Sequence, residues 1–213
     1  MISPISIIGS LVYRACEALN ANTAFMEALK QYPFYENCVS DGHFNLWHYP
    51  GTFSEISATL IEIGTSPKGA LIKFPSVLDF QAVKQRHEER ISYTYNLAIA
   101  GTTDSEWTTE QRDSVVFELL LRPVYEEFIR QAKQAEYLDM GYNAPIHDVW
   151  EVFSTGNSEG VVLKTYGEHV DAIELPNLTL RLRKEAECRW GDIIKTEQEQ
   201  VRQRMNNLIK TRP

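Results

Sequence analysis

The closest match to a nucleophile motif in this 213-residue chain is Gly156-Asn157-Ser158-Glu159-Gly160. In a GxSxG hydrolase the serine sits on a sharp turn from strand into helix, where its hydroxyl is exposed and a nearby histidine takes its proton. His147 and His169 are the candidate bases, and the chemistry would be ester hydrolysis. The flanks argue against it. Residues 149–153 and 161–166, VWEVF before the corresponding turn and VVLKTY after it, both read as strand. A hairpin turn rich in Gly, Asn and Ser accounts for the same residues.

Other candidate chemistry is weaker. Gly64-Thr-Ser-Pro-Lys-Gly69 has the glycines of a phosphate loop, but Ala70-Leu71 stands where Lys-Ser/Thr is required. The five histidines, His43, His48, His87, His147 and His169, show no HxxxH or HExxH spacing, so no zinc site is expected. Glu126 and Glu127 are adjacent on a helix and diverge in direction, so they cannot converge on one substrate. Cys16, Cys38 and Cys188 form no CxxC pair; an odd, scattered set reads as reduced, partly buried thiols. No catalytic, cofactor-binding or metal-binding residue is expected.

Stepping outward, the elements that would carry any site are a mixture of helices and strands. Ile8, Leu11, Val12, Ala15 and Leu19 recur at helical spacing behind Pro4. Asn22 or Thr23 can cap a second short helix that ends at Tyr32-Pro33. Strands are expected over residues 44–49, 56–63, 70–80 and 92–100. In the last of these, Tyr93, Tyr95, Leu97 and Ile99 share a buried face, leaving Ser92, Thr94, Asn96 and Ala98 for water or a partner. Thr108 and Gln111 form a capping box before a long apolar stripe, and Pro123 within it should bend that helix. Residues 170–183 read as the longest strand, with a bulge at Pro176-Asn177. Loops are expected over residues 79–90 and 100–106. Asp192 can cap a last helix through about Ile209, read as an arm on a neighbour or as a solvated surface helix.

Composition bounds the class. Hydrophobic content is 43%, which suits a packed core, and the net charge is -8, which disfavours a general nucleic-acid binder. Nine basic and five acidic residues give residues 181–213 a charge of +4 and leave -12 on the rest. Such polarity would suit association of copies head to tail. No apolar run reaches the roughly 18–20 residues of a membrane span. No basic residue precedes the N-terminal apolar patch, so synthesis in the cytoplasm without a secretory signal is expected.

The structural residues of this middle region carry a resemblance. Lys73-Phe-Pro75, Tyr93-Thr-Tyr-Asn-Leu97, Trp107-Thr-Thr-Glu-Gln-Arg112, Leu121-Arg-Pro-Val-Tyr125 and Val170-Asp-Ala-Ile-Glu174 resemble the tail-completion or tail-terminator-like proteins of tailed bacteriophages, including crAss-like gut phages and related prophages. The resemblance covers about residues 70–183. It implies an α+β fold in which a curved antiparallel β-sheet is flanked by helices. It also implies a non-enzymatic virion protein of the neck or tail, forming a homo-oligomeric ring, hexamer or dodecamer. Neighbouring ring proteins would be its partners, DNA would pass non-specifically through the lumen, and no membrane would be involved. Two departures, the elaborated residues 136–167 and the basic residues 188–213, favour a connector that touches several neighbours. The expected organisation is a domain over residues 1–184 and a basic helical C-terminal arm over 185–213. Candidate interface residues are Trp47, Tyr49, Trp107, Arg181, Arg183, Lys184, Arg189, Arg202 and Arg204. An assembly chaperone absent from the particle and a serine hydrolase using Ser158 are the alternatives.

Overall fold

The computed structural model describes residues 2–52, 54–56, 75–80, 84–87, 91–104, 106–140, 145–150, 170–183 and 186–210. Ser158, His169, Lys184 and the Gly64–Gly69 string lie outside the described residues. So does the expected strand over 161–166.

Helix α1 (Pro4–Ala21) begins with proline in its first turn, where a missing N–H costs nothing. Asn22 ends α1 and caps α2 (Thr23–Leu29) by accepting a bond from Phe25 N. A short α3 (Tyr35–Cys38) leads into the small hairpin β1 (Val39–Ser40) and β2 (His43–Phe44). Asp41 at φ 52 and Gly42 at φ 75 make its turn. The single strand expected over 44–49 is therefore split, with β3 at Trp47–Pro50.

Among the described residues the main sheet has seven strands. Along its path run β3, β4 (Ser76–Asp79), β6 (Ile91–Thr102), β9 (Val170–Leu182) and β7 (Leu138–Asp139). Off that path, β5 (Lys84–His87) pairs with β6 and β8 (Asp148–Trp150) pairs with β9. The sheet is open and strongly curled, a half-barrel with helices around it. The antiparallel sheet implied by the resemblance is corrected in one place, because the sheet is mixed. β3 and β4 run parallel, Trp47 opposite Ser76 and Pro50 opposite Asp79, and the long connection over residues 51–75 permits the crossover that parallel pairing needs. Pro75 immediately precedes β4, where its carbonyl accepts Trp47 N. Residues 84–87, expected in a loop, form a paired strand. The strand expected from Ile56 onward starts in a helical turn at 54–56.

The β6–β9 ladder is the centre of the molecule. Its register shifts between Tyr95 and Leu97, where the partner changes from Leu178 to Leu175. Asn177 takes φ 58 there, and its N–H donates to Asn96 Oδ1 at 2.9 Å. This is the bulge the sequence suggests. Because it adds a residue to β9, Ile173 and Leu175 share a buried face with Leu178, Leu180 and Leu182 despite their opposite parity. Tyr93, Tyr95, Leu97 and Ile99 lie on that face against the helices, as expected. The opposite face of β6 is only partly open. Ala98 and Ala100 are buried in a second cluster with Leu78, Phe80, Val170, Ala172 and Ile56.

The long helix starts at α4 (Thr109–Arg112) with the expected capping box, Thr108 accepting from Gln111 N and Gln111 from Thr108 N. It does not continue as an α-helix bent at Pro123. Asp113–Leu121 is π-helical, and Arg122 N donates to Phe117 O before α5 (Arg122–Gln134) resumes with Pro123 in its first turn. Widening the register ahead of the proline avoids the clash that an α-helical turn would impose there. The wider turn lays the neighbouring Leu120 and Leu121 against Gly101. A Cβ on Gly101 would lie 3.1 Å from a methyl of each.

Residues expected to form an arm, or a solvated helix, form α6 (Ala186–Lys210), which starts before Asp192 and packs along α1. Ile194 and Val201 join the main core. Among the described residues, no helix is long and apolar enough to cross a membrane.

Candidate functional site

The described residues among the sequence-derived interface set are scattered over the molecule; one of them is buried and three are half-buried. Trp47 is only 4% exposed. Its place in β3, beside β4 and beneath α1 and α6, makes it a core residue and removes it as an interface anchor. Tyr49 is half-buried against the second core cluster. Trp107 is half-buried, its ring 5.8 Å from that of Phe34. Arg181, Arg183, Arg189 and Arg202 are exposed. Arg183 Nε donates to Leu138 O at 2.9 Å, and the Arg189 guanidinium lies over the Trp190 ring at 5.9 Å. Arg204 is half-buried. It pairs with Glu17 at 2.8 Å and lies 5.3 Å from the centre of the Tyr13 ring. Asp192 and Glu199 alternate with Arg189, Lys195 and Arg202 on the exposed side of α6, a mixed-sign surface.

Most of the organised polar chemistry among the described residues lies between α1 and α6. Ser6, Gly9, Ser10, Tyr13 and Glu17 recur at three- and four-residue spacing, so they share one side of α1. Ile194, Glu197, Gln198, Val201 and Arg204 do the same on α6. The two stripes meet as parallel helices. Ser6 Oγ donates to Gln198 Oε1 at 2.6 Å, and Ser10 Oγ donates to Glu197 Oε2 at 2.5 Å. With its proton committed there, Ser10 accepts from Tyr137 OH at 2.9 Å. Arg14 Nε reaches the same carboxylate at 3.0 Å. Burial is the largest single influence and lowers the Arg14 pKa, but the Glu197 bond and the charges of Tyr137, Glu197 and Glu136 together outweigh it and hold the pKa above the usual guanidinium value. Burial pushes the Tyr137 hydroxyl up. Gly9 lets the helices approach, because a Cβ there would lie 2.8 Å from Gln198 Cγ. Sequence reading missed this seam. Its signal was the run Ser6-Ile-Ile-Gly9-Ser10, small residues at helical spacing beside the apolar stripe.

A second buried polar site joins the long helix to the sheet. Arg112 is 3% exposed and Asp171 0%, and they pair at 2.7 Å. Arg112 also donates to Asp104 O at 2.8 Å and Trp107 O at 3.2 Å. This fork ties the loop before α4 to the start of β9. Binding the loop and the sheet at once, it is a structural clamp.

Titratable groups elsewhere are dispersed. His48 Nε2 lies 3.6 Å from Asp79 Oδ2, both deeply buried. His147 stacks on Tyr125 and bonds its hydroxyl at 3.1 Å, at the surface. Cys16 and Cys38 are buried and free; burial raises their thiols to about 11 and about 12. A shallow hollow between Tyr13, Cys16, Leu46, Trp47 and Arg204 has room only for a water-sized solute. No group of three or more His, Cys, Asp or Glu side chains among the described residues is placed to hold a metal. Comparison with protein-family models, with curated proteins and with solved structures gave no match.

Proposed function

We propose that this chain is a non-enzymatic structural protein of a tailed-phage particle, a ring-forming connector or terminator in the neck or tail. It would join portal-proximal and tail components and line the DNA path. The observation that carries this reading is the strongly curled sheet backed by the long helix over Thr109–Gln134. It agrees with the fold implied by the tail-terminator resemblance over residues 70–183. The mechanism is geometric. The β6–β9 ladder, clamped to the helix through Arg112 and Asp171, supplies a rigid body. Exposed arginines such as Arg181 and Arg202 are available for neighbours in a heterologous ring, where one face of a subunit meets a different face of the next. The net negative charge suits a lumen that must not hold DNA.

The test is quantitative mass spectrometry of purified particles, scaled to the portal protein. A fixed ratio equal to a ring copy number is expected. Absence from intact particles would sink the connector and leave an assembly chaperone. Ester hydrolysis lost on Ser158→Ala would instead establish the hydrolase.

A further inference from the structure

We propose that the polar end of the sheet's second face binds the phosphate backbone of duplex DNA, with Arg181, Arg183, Ser92 and Asn96 as donors. The inference gives the DNA-path part of the reading above a location, but it holds with or without a ring.

The face follows from strand parity and register. On β6, Ser92, Thr94, Asn96, Ala98 and Ala100 share the side turned away from the helices. One end of that side is sealed, with Ala98 and Ala100 buried in the cluster around Leu78. The other end is open. Thr179 and Arg181 are exposed there, and Ser92, Thr94 and Asn96 are half-buried. The bulge at Asn177 makes this possible. Without its extra residue, Thr179 and Arg181 would keep the parity of Ile173 and Leu175 and face the core.

Cations gather at this open end. Ser92 is opposite Arg181 on β9 and Arg86 on β5, and Thr94 is opposite Thr179 and Lys84. These register positions span three adjacent strands, about 10 Å from first to last. Exposed Arg183 stands two residues beyond Arg181. Among the described residues, the acid in register here is Asp139 on β7, opposite Arg181.

The donors at this end are uncommitted. Arg14, Arg112, Arg122, Arg130 and Arg204 each pair with a carboxylate. Among the described residues Arg181 and Arg183 pair with none, and Arg183 donates only to Leu138 O. Ser92 Oγ and the Asn96 side-chain N–H groups have no partner there either. The acceptors are occupied: Asn96 Oδ1 takes Asn177 N at 2.9 Å, and the Thr94 and Thr179 hydroxyls bond each other at 3.1 Å. Positive charge with surplus donors is the complement of phosphate oxygens. Tyr93 and Tyr95 are buried on the other face and Tyr49 lies at the sealed end. A base would find no ring to stack on, which favours a duplex over a single strand. The net charge of -8 keeps the contact weak and releasable by salt.

The experiment measures fluorescence anisotropy of a short labelled DNA duplex with the full-length chain, between roughly 50 and 200 mM salt. Four cations less one acid should neutralise about three phosphates, so affinity should fall roughly 40-fold over that range. Arg181→Ala should weaken binding and reduce the slope of log affinity against log salt by about 0.9. Ser92→Ala should weaken binding roughly 3- to 10-fold and leave the slope unchanged. Lys133→Ala removes an exposed charge from the long helix, on the other side of the sheet, and should change neither. Circular dichroism confirms that each variant is folded. No binding at the low end of the salt range, or equal effects of Arg181→Ala and Lys133→Ala, would overturn the proposal. Tighter binding of a single strand of the same length would overturn the duplex. Native mass spectrometry reads the ring separately, so a ring without DNA binding leaves the connector standing and sinks only this patch.

Discussion

Removing one member of the Arg112–Asp171 pair should cost far more than removing both. The structure sets the magnitude. Both side chains are out of contact with water, at 3% and 0% exposure, and 2.7 Å separates them. Asp171→Leu leaves a buried guanidinium without its counter-charge. Arg112→Met leaves a buried carboxylate, and also frees the carbonyls of Asp104 and Trp107. Each single change should therefore cost about 3–5 kcal/mol. In a chain of this size that is a fall in Tm of roughly 10 °C. In the double variant the lost charges cancel, and the remaining penalty comes mainly from two carbonyls that water can reach. It should be about 1–2 kcal/mol. Urea titration of the four proteins, followed by tryptophan fluorescence and circular dichroism, measures the cycle. Single changes that cost less than about 1 kcal/mol, or a double variant whose cost is the sum of the two, would refute the clamp.

Gly101→Ala should destabilise by about 1–3 kcal/mol, because two leucine methyls from the π-helical turn stand 3.1 Å from the new Cβ; a urea midpoint unchanged from the parent would count against that packing. Gly9→Ala should act locally, speeding amide hydrogen exchange across residues 189–204 while leaving the β6–β9 ladder protected. Cys16 and Cys38 should not react with a disulfide reagent at pH 8 until the chain is unfolded, since burial keeps both protonated. Alkali should weaken the fold. Native Cys16 keeps its proton up to about 11 whereas the unfolded thiol loses it from 9.0. Above pH 9 the unfolded state therefore binds fewer protons, and this group's contribution is lost at up to about 1.4 kcal/mol per pH unit. Urea midpoints at pH 8 and pH 10.5 check the sign.

Local signals in the sequence carried well. The capping box at Thr108 and Gln111, the proline at the start of α1 and the cap at Asn22 each depend on a few adjacent residues. The bulge at Asn177 was legible because the apolar parity switches there. What failed depended on distant segments. Trp47 reads as a loop aromatic until β4 is known to lie beside it. Ala98 and Ala100 look like an open face until Leu78 and Val170 cover them. Pro123 announced a disturbance but not its form, since bend and π-register satisfy the same missing N–H. The α1–α6 seam was the largest omission. Its two halves stand 192 residues apart in the bond from Ser6 to Gln198. Each stripe, read alone, is merely a helix with polar residues. The small residues of α1 mark a close approach but nothing near them in sequence names the partner, and the buried clamp at Arg112 was invisible for the same reason.

Helix α1 is made first and completed last. The carbonyl of Pro4, its first residue, and that of Ile2 just before it accept from the hydroxyls of Tyr95 and Tyr93, each 91 positions downstream. Its other side waits for α6. At ribosomal speeds of roughly 5–20 residues per second, the interval between the two ends of the Ser6–Gln198 bond is about 10–40 s. Through that time the small polar side of α1 stands without its cover, whereas the other side gains Tyr93 and Tyr95 after 91 residues. Until then the apolar side of α1 is a target for chaperones during synthesis.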